Sequence, residues 1–340
     1  MKKLTLLSVA HFFVDFSCAF VCLGDIGNMG NLQMYLLIYN FLAFAVQMPL
    51  GLLVDRFGHR LRVAGIGILL TLCAVLFDFS PLLYPWPTVI LAGLGNALFH
   101  VGGGVHTLHR ANGKCTPLGI FVAPGAFGLF LGGWCASSFG YILPVVIFVL
   151  ACLAIALLCD KTKETEFVFS TDGFVLSKRA AVALILLFAV VFLRSAAGFQ
   201  FGFSWKTGAA AVLFALAVTL GKALGGILAD RFGMMNASAV SLILSGILFV
   251  FSQNNAICGI LAVLLFNCTM PVTLHLAAQV LRNLKGFSFG LLTFALFLGL
   301  LPSYFGFSAS GFAAVFGVGA CAVSLVLLLP AVRLTQGERI

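Results

Sequence analysis

The residues best suited to chemistry in this chain are ionisable side chains that interrupt long apolar runs. His11 and Asp15 lie four residues apart in the first run, so a helix would place both on one face. At a rise of about 1.5 Å per residue, both would lie roughly halfway across a bilayer. A carboxylate beside an imidazole can load and release protons near neutral pH. The alternative is a structural ion pair between Asp15 and an arginine.

Two further ionisable residues lie within apolar runs. Arg194 occurs in the stretch FLRSAAG and cannot lose its charge, so it needs an anionic partner. That partner is either Asp15, in a structural gate pair, or an anionic substrate. His100 follows Asn96 by one helical turn in the middle of the fourth run, and it is a third candidate for carrying a proton.

Four other polar residues are candidates for substrate contact. Asn96 and Asn267 hold equivalent places in the two halves of the chain and can either contact a substrate or only link helices. Lys222 matches Gln47 at a separation of 222 − 47 = 175 residues. A lysine there can attract an anion, or its long side chain can simply extend toward water.

The composition requires that most of the chain faces lipid. Hydrophobic residues make up 62% of its 340 residues and charged residues only 9%, whereas a soluble domain has about 25% charged residues. The basic residues lie in short connectors and are not interleaved with aromatic residues, which argues against nucleic acid as a partner. The ten cysteines show neither a CxxC pair nor metal-ligand spacing, so we expect no disulfide, metal or cofactor.

Twelve segments are long and apolar enough to span a membrane, and they position these residues. They are 4–24, 32–54, 63–80, 88–108, 118–138, 141–159, 180–203, 208–229, 237–253, 256–276, 287–305 and 311–332. The polar stretch 160–179 falls between the sixth and seventh. We therefore predict an all-α integral membrane protein with a six-helix bundle over 1–159, a linker over 160–179 and a second six-helix bundle over 180–340.

The placement of basic residues gives this topology an orientation. An even number of spans puts both termini and the linker on one side, and 16 of the 19 lysines and arginines lie on that side. The excess of positive charge in cytoplasmic connectors makes this the cytoplasmic side.

A short charged phrase occurs in both halves. GLLVDRFG at 51–58 matches GILADRFG at 226–233, so that Gly51, Asp55 and Gly58 correspond to Gly226, Asp230 and Gly233. A second block, with Asn112 and Lys114 against Asn283 and Lys285, repeats at a separation of 171 residues. Two blocks in the same order indicate a duplicated six-helix unit.

The phrase resembles the signature of the major facilitator superfamily, a Gly-x-Leu-x-Asp-Arg-x-Gly-Arg/Lys pattern in the connector between the second and third helices. The resemblance covers the whole chain and implies two pseudo-symmetric bundles with a central site near the midplane. It also implies that the repeated phrase latches one conformational state on the cytoplasmic side. The alternative is that its charges only mark the membrane boundary. The residues assigned to this latch are Gly51, Asp55, Arg56, Gly58, Asp230, Arg231 and Gly233.

A narrower resemblance is carried by HFFVD at 11–15, GNALFHVGGG at 95–104 and GIFVAPGAFGLFLGG at 119–133. These stretches are similar to those of the fosmidomycin-resistance group of exporters, although Val101 stands where that group has a proline. The glycine-rich stretch resembles a helix-5 hinge of proton-linked exporters. The alternative is that its glycines only allow the close packing that is common among membrane helices. The hinge residues would be Pro124, Gly125, Gly128 and Gly132.

These features together predict a proton-coupled secondary transporter of a small anionic or zwitterionic solute. The resemblance favours an exporter that works as an antiporter in a bacterial plasma membrane, as a monomer with protons and the solute as its partners. An organic-anion importer on the same fold is the nearest alternative. A membrane receptor or a membrane-embedded enzyme is a more distant one, because the sequence offers neither a large soluble domain nor a set of nucleophile and base.

Overall fold

The computed structural model describes residues 2–24, 30–78, 85–136, 140–161, 176–307 and 312–336. Within these ranges the secondary structure is helical and includes no strand. Of the predicted linker 160–179, residues 162–175 lie outside the described part of the chain.

Fourteen α-helices occur in the described residues. The first seven are α1 (Lys2–Leu23), α2 (Leu32–Asn40), α3 (Gln47–Phe57), α4 (Arg60–Asp78), α5 (Pro85–Arg110), α6 (Thr116–Ala136) and α7 (Leu143–Leu158). The other seven are α8 (Lys178–Phe199), α9 (Gly208–Phe232), α10 (Met234–Phe251), α11 (Ala256–Asn267), α12 (Met270–Val280), α13 (Lys285–Tyr304) and α14 (Ala313–Gln336).

The helices reproduce the predicted spans. Eleven helical segments are at least 18 residues long and apolar enough to cross a membrane, and α7 adds a shorter apolar helix at the sixth predicted position. At about 1.5 Å per residue α7 is roughly 24 Å long, slightly less than a hydrocarbon core. The prediction of twelve membrane helices is confirmed.

Two of the spans are not single regular helices. In the second span, the π-helical turn Phe41–Ala45 separates α2 from α3, and the Gln47 side-chain amide donates to the Ala43 carbonyl at 2.5 Å. In the tenth span, α11 ends at Asn267 and α12 begins at Met270, followed at once by Pro271. Proline has no N–H to donate and is well tolerated in the first turn of a helix, which is where Pro271 lies. The N-terminus of α12 therefore lies inside a membrane span.

Small residues let the helix backbones approach closely. Gly67 of α4 faces the backbone of Gly95 and Phe99 on α5, so a side chain at this position would collide with main-chain atoms. Packing through small residues is the usual way in which membrane helices associate, because lipid tails compete with apolar side chains. α5, which carries Asn96 and His100, thus packs against α1, α2, α3 and α4.

Large apolar side chains project outward from many helices. Their exposure suits a lipid environment, in which an apolar surface carries no penalty. Examples that are at least 60% exposed are Val145, Phe148, Ile155, Ile185, Val250, Ile257 and Val326. Each of the ten cysteines lies in the described part of the chain and is a free thiol.

The chain forms two compact units. The first contains 1–110, 124–169 and 283–294, and the second contains 111–123, 170–282 and 295–340. Two short segments, 111–123 and 283–294, belong to the unit that contains most of the other half of the chain. The boundary at residues 123 and 124 coincides with Pro124, inside α6.

Candidate functional site

His11 and Asp15 lie together on one face of α1, as the spacing predicts. The His11 Nε2 and the Asp15 Oδ2 are 3.2 Å apart, and His11 is only 4% exposed. Both side chains are well inside a 22-residue apolar helix, where an ionisable group is costly unless it has partners.

Helix α5 contributes the remaining groups of this cluster. The His100 Nε2 lies 2.8 Å from the His11 Nε2 and 3.7 Å from the Asp15 Oδ1. The Asn96 amide donates to the Asp15 Oδ1 at 2.8 Å. We call these four residues, His11, Asp15, Asn96 and His100, the proton cluster. All four belong to the first unit.

The hydrogen positions in the proton cluster follow from its acceptors. The His100 Nδ1 lies 2.9 Å from the Asn96 main-chain carbonyl, which can only accept, so this nitrogen carries a hydrogen. The Nε2 of a neutral His100 therefore presents a lone pair to His11. The His11 Nε2 must then carry the hydrogen, and it points toward both His100 and the Asp15 carboxylate.

Glycines of α6 make room for the proton cluster. A Cβ atom at Gly125 would collide with the His11 imidazole and the Asp15 carboxylate. One at Gly128 or Gly132 would collide with the main-chain carbonyl of Phe12 or Phe16. The glycine-rich stretch therefore lets α6 lie directly on the ionisable face of α1, and α6 remains helical through Pro124.

The same ligand atoms could hold a metal ion by their number and proximity. One atom each from His11, Asp15 and His100 lies within 4.8 Å of the others. Two nitrogens bound to one tetrahedral metal ion would be about 3.3 Å apart, because metal–nitrogen bonds are about 2.0–2.1 Å long. The observed 2.8 Å between the imidazole nitrogens is instead the length of a hydrogen bond. The geometry therefore fits a shared proton better than a metal.

Arg194 lies on α8 in the second unit and is 8% exposed. Its guanidinium contacts the hydroxyls of Thr269 and Thr273, at the N-terminus of α12, over 3.4–3.5 Å. Sequence reasoning singled out Arg194 but not the two threonines. The signal that could have revealed them was Pro271, because proline is favoured at the first position of a helix.

The other predicted substrate residues occupy varied positions. Asn267 donates to the Val263 carbonyl of its own helix at 2.8 Å, and Lys222 is half-buried on α9 in the same unit. Gln47 is fully buried beside the π-helical turn of the first unit. In the first unit, the Asn96 side chain contacts Asp15, whereas the Gln47 side chain donates to the Ala43 carbonyl of the same span.

The two copies of the charged phrase make equivalent contacts. The Asp55 carboxylate accepts from the main-chain N–H of Gly286 at 2.7 Å and of Phe287 at 2.8 Å, at the N-terminus of α13. The Asp230 carboxylate accepts from Cys115 at 2.7 Å and Thr116 at 2.8 Å, at the N-terminus of α6. A carboxylate at a helix N-terminus meets unpaired N–H groups and the positive end of the helix dipole.

The remaining residues of the phrase support these contacts. A Cβ at Gly51 would collide with the Gly286 carbonyl, and Gly58 and Gly233 have positive φ angles of 71° and 85°, which favour glycine. Arg56 and Arg231 lie over the rings of the phenylalanines that follow them, at 5.5 and 5.3 Å. The helix N-termini that donate these hydrogen bonds also repeat, because 286 − 115 = 171 is the separation already seen in the sequence.

Comparisons with known proteins identify the fold. A scan of family models finds no match, and a search of curated proteins finds no related sequence. Among solved structures, the fucose:proton symporter FucP of E. coli is similar with a TM-score of 0.68 and 13% identity, covering 96% of this chain and 98% of that one. FucP in the outward conformation gives a TM-score of 0.66 at 12% identity, covering 95% and 97% of the two chains.

A bacterial homologue of the iron transporter ferroportin is also similar, with a TM-score of 0.60 and 15% identity, covering 99% of each chain. Identities this low describe the fold and not the substrate. The comparisons do not single out the fosmidomycin-resistance group, which stays a prediction. Together with the helical spans, they show that this chain is a multi-pass membrane protein with the major facilitator fold.

Proposed function

We propose that this protein is a proton-coupled secondary transporter that moves a small anionic or zwitterionic solute by alternating access. The observation that carries the proposal is the proton cluster, in which a carboxylate and two imidazoles share hydrogens inside two membrane-spanning helices. Such groups are costly within a membrane, and they commonly serve as proton relays in transporters.

Asp15 is the proposed proton carrier, with His11 and His100 as its partners. The titratable groups around Asp15 are these two histidines, Cys18 on α1 and Tyr39 on α2. The side chains of Asp15, His11 and His100 contact one another, and the coupling proton moves among these three residues. Asn96 fixes the carboxylate by donating to its Oδ1.

The proposed solute contacts are Arg194, Lys222, Asn96, Asn267 and Gln47. Arg194 supplies a permanent positive charge inside a span, which favours a solute with a negative group. The proposed latch consists of the two aspartates, Asp55 and Asp230, each of which binds the N-terminus of a helix. Breaking and reforming these contacts would accompany the alternation between inward and outward states.

We favour export by antiport, at a plasma membrane and by a monomer, because of the resemblance to the fosmidomycin-resistance group. An importer that takes up an organic anion together with protons is the second candidate. It is favoured by the similarity to a fucose:proton symporter, whose name states that it carries its sugar together with protons. A receptor or an enzyme has less support, because the similar structures are those of transporters.

The test is proton movement driven by solute in sealed proteoliposomes that contain a pH dye. Purified protein is challenged with carboxylated, phosphonated and cationic small molecules in the absence of any other gradient. We expect an anionic solute to change the internal pH, and the sign of the change separates antiport from symport. Solute movement without any pH change would contradict proton coupling.

Asp15→Asn is the decisive variant for the proton carrier. It keeps the size of the side chain but removes the acid, so we expect the solute-driven pH change to disappear. Asp78→Asn is the matched control, because Asp78 is an acid of similar burial, 8% exposed, at the end of α4. A pH change that persists in Asp15→Asn would exclude Asp15 as the carrier.

A further inference from the structure

The environment of Arg194 indicates what kind of anion it binds. The guanidinium is buried, and its contacts are with two hydroxyls at the long end of the hydrogen-bond range, 3.4–3.5 Å. Within the described residues of its own unit, no carboxylate lies within 4.0 Å of it. A buried charge without a counter-charge is strongly unfavourable. An anion bound beside the Arg194 guanidinium would supply this counter-charge.

The two threonines orient the guanidinium instead of neutralising it. The Thr269 hydroxyl donates to the Phe266 carbonyl at 3.1 Å, and the Thr273 hydroxyl donates to the Met270 carbonyl at 2.9 Å. Because each hydroxyl hydrogen is committed to the backbone, each oxygen presents lone pairs to Arg194. Arg194 is thereby held against the first turn of α12.

The first turn of α12 is a second source of positive potential. Its N-cap is Thr269, and the first bond of the new helix runs from the Thr273 N–H to the Thr269 carbonyl at 3.0 Å. The first N–H groups of a helix have no acceptor within that helix, and its N-terminus carries about half a positive charge. α12 has 11 residues, and Cys268 and Thr269, between α11 and α12, keep right-handed helical backbone angles.

We infer that Arg194 and the first turn of α12 form a binding site for a carboxylate group of the solute. A planar guanidinium binds a planar carboxylate through two parallel hydrogen bonds. The guanidinium supplies one full positive charge, which the single negative charge of a carboxylate neutralises, whereas a phosphate group would carry −1.5 to −2 into the span. The inference rests on the proposed transport function and narrows its solute to a carboxylic acid.

Equilibrium binding to purified protein in detergent tests this inference without requiring transport. The probes are sets of compounds that share one carbon skeleton and differ in the polar group, such as phenylacetate, benzylphosphonate, phenylacetamide and phenethylammonium. Propanoate and its analogues form a smaller set. Binding is measured by the rise in unfolding temperature with probe concentration. We expect stabilisation by the carboxylates and little or none by the amides and ammonium ions.

Variants locate the site. Arg194→Gln should weaken carboxylate binding about 10- to 100-fold, the range expected for hydrogen bonds between charged groups. Arg194→Lys keeps the charge but loses the paired hydrogen bonds, so it should bind with intermediate affinity. Lys206→Gln is the matched control, because it removes an exposed cation of the same unit and should leave binding unchanged.

Three results would overturn the inference. The first is equal stabilisation by the carboxylate and the amide. The second is stronger binding of the phosphonate than of the carboxylate, through Lys222. The third is an unchanged carboxylate affinity in Arg194→Gln. A wild-type protein that binds none of the carboxylates up to their solubility limit would also contradict it. Carboxylate binding without proton movement in liposomes would instead contradict the proposed coupling and leave this site standing.

Discussion

The two halves of the chain carry polar clusters of opposite character on related helices. In the first half, α1 and α5 gather a carboxylate, two imidazoles and an amide around Asp15. In the second half, α8 and α12 gather a guanidinium and two hydroxyls around Arg194. We propose that the first cluster takes up a proton and that the second binds an anion.

The two copies of the charged phrase, in contrast, make the same contacts. Asp55 and Asp230 each accept two main-chain hydrogen bonds of 2.7–2.8 Å from a helix N-terminus. The two halves therefore share the contacts of the charged phrase with a helix N-terminus. They differ in the chemistry of their polar clusters. We interpret this difference as a division between a proton site and a solute site.

The largest expected effect on this comparison comes from Gly125→Ala. The added methyl group would collide with His11 and Asp15 at once, and overpacking of this kind typically costs about 1–3 kcal/mol. We expect solute-driven proton movement to be lost, while carboxylate binding in the second unit is retained. The measurements are the pH-dye assay and the binding assay on the same preparation.

Gly133→Ala is the control for this substitution, since Gly133 lies on the same helix. A Cβ there would meet the Leu23 side-chain tip at 3.0 Å, and a flexible side chain can move aside. Equal loss of proton movement in both variants would show that α6 tolerates no change, and it would remove the evidence for contact with the proton cluster.

A smaller effect is expected from breaking one latch. Cys115 is 1% exposed beside Asp230, and burial raises the pKa of its thiol to about 12. Thiols react as thiolates, so this cysteine should be labelled slowly by maleimide at neutral pH, and faster as the pH rises toward that value. Asp230→Asn removes the charged acceptor of the Cys115 and Thr116 N–H groups, and it should speed labelling of Cys115 about tenfold.

The comparison variant for this latch is Asp55→Asn, which breaks the equivalent contact in the other unit. Labelling is quantified for the Cys115 peptide by mass spectrometry, because Cys152 and Cys159 are exposed and will react as well. If Asp230→Asn leaves the Cys115 rate unchanged, Asp230 only marks the membrane boundary.

The smallest effect is expected at the threonines. Thr273→Val removes the oxygen that holds the Arg194 guanidinium against α12 but leaves the charge in place. We expect carboxylate affinity to fall about two- to tenfold, in line with a single hydrogen bond. Thr273→Ser keeps the oxygen and should bind as the wild type does; a loss as large as that of the valine variant would indicate a packing effect instead.

The sequence was sufficient for features that depend on local pattern. Apolar length predicted the spans, and the spacing of four residues placed His11 and Asp15 on one face. The repeat separation of 171 residues paired the connectors that end at the start of α6 and α13. These inferences depend on the helical period and on the separation between repeats, and both can be measured directly in the sequence.

The sequence alone could not predict contacts between helices that are far apart along the chain. Nothing local indicates that Asn96 donates to Asp15, 81 residues away, or that Gly125 lies against His11. The π-helical turn at Phe41–Ala45 and the meeting of Arg194 with Thr269 and Thr273 likewise depend on tertiary packing. The interpretation of Asn96 as a substrate contact remains a prediction beside its observed bond to Asp15.

The most direct test of the division between the two clusters compares Asp15→Asn with Arg194→Gln in the same liposomes. Exchange of radiolabelled carboxylate across the membrane is measured together with internal pH. We predict that Asp15→Asn retains exchange but moves no protons, whereas Arg194→Gln loses both. Loss of exchange in Asp15→Asn, or retention of full exchange in Arg194→Gln, would contradict the account.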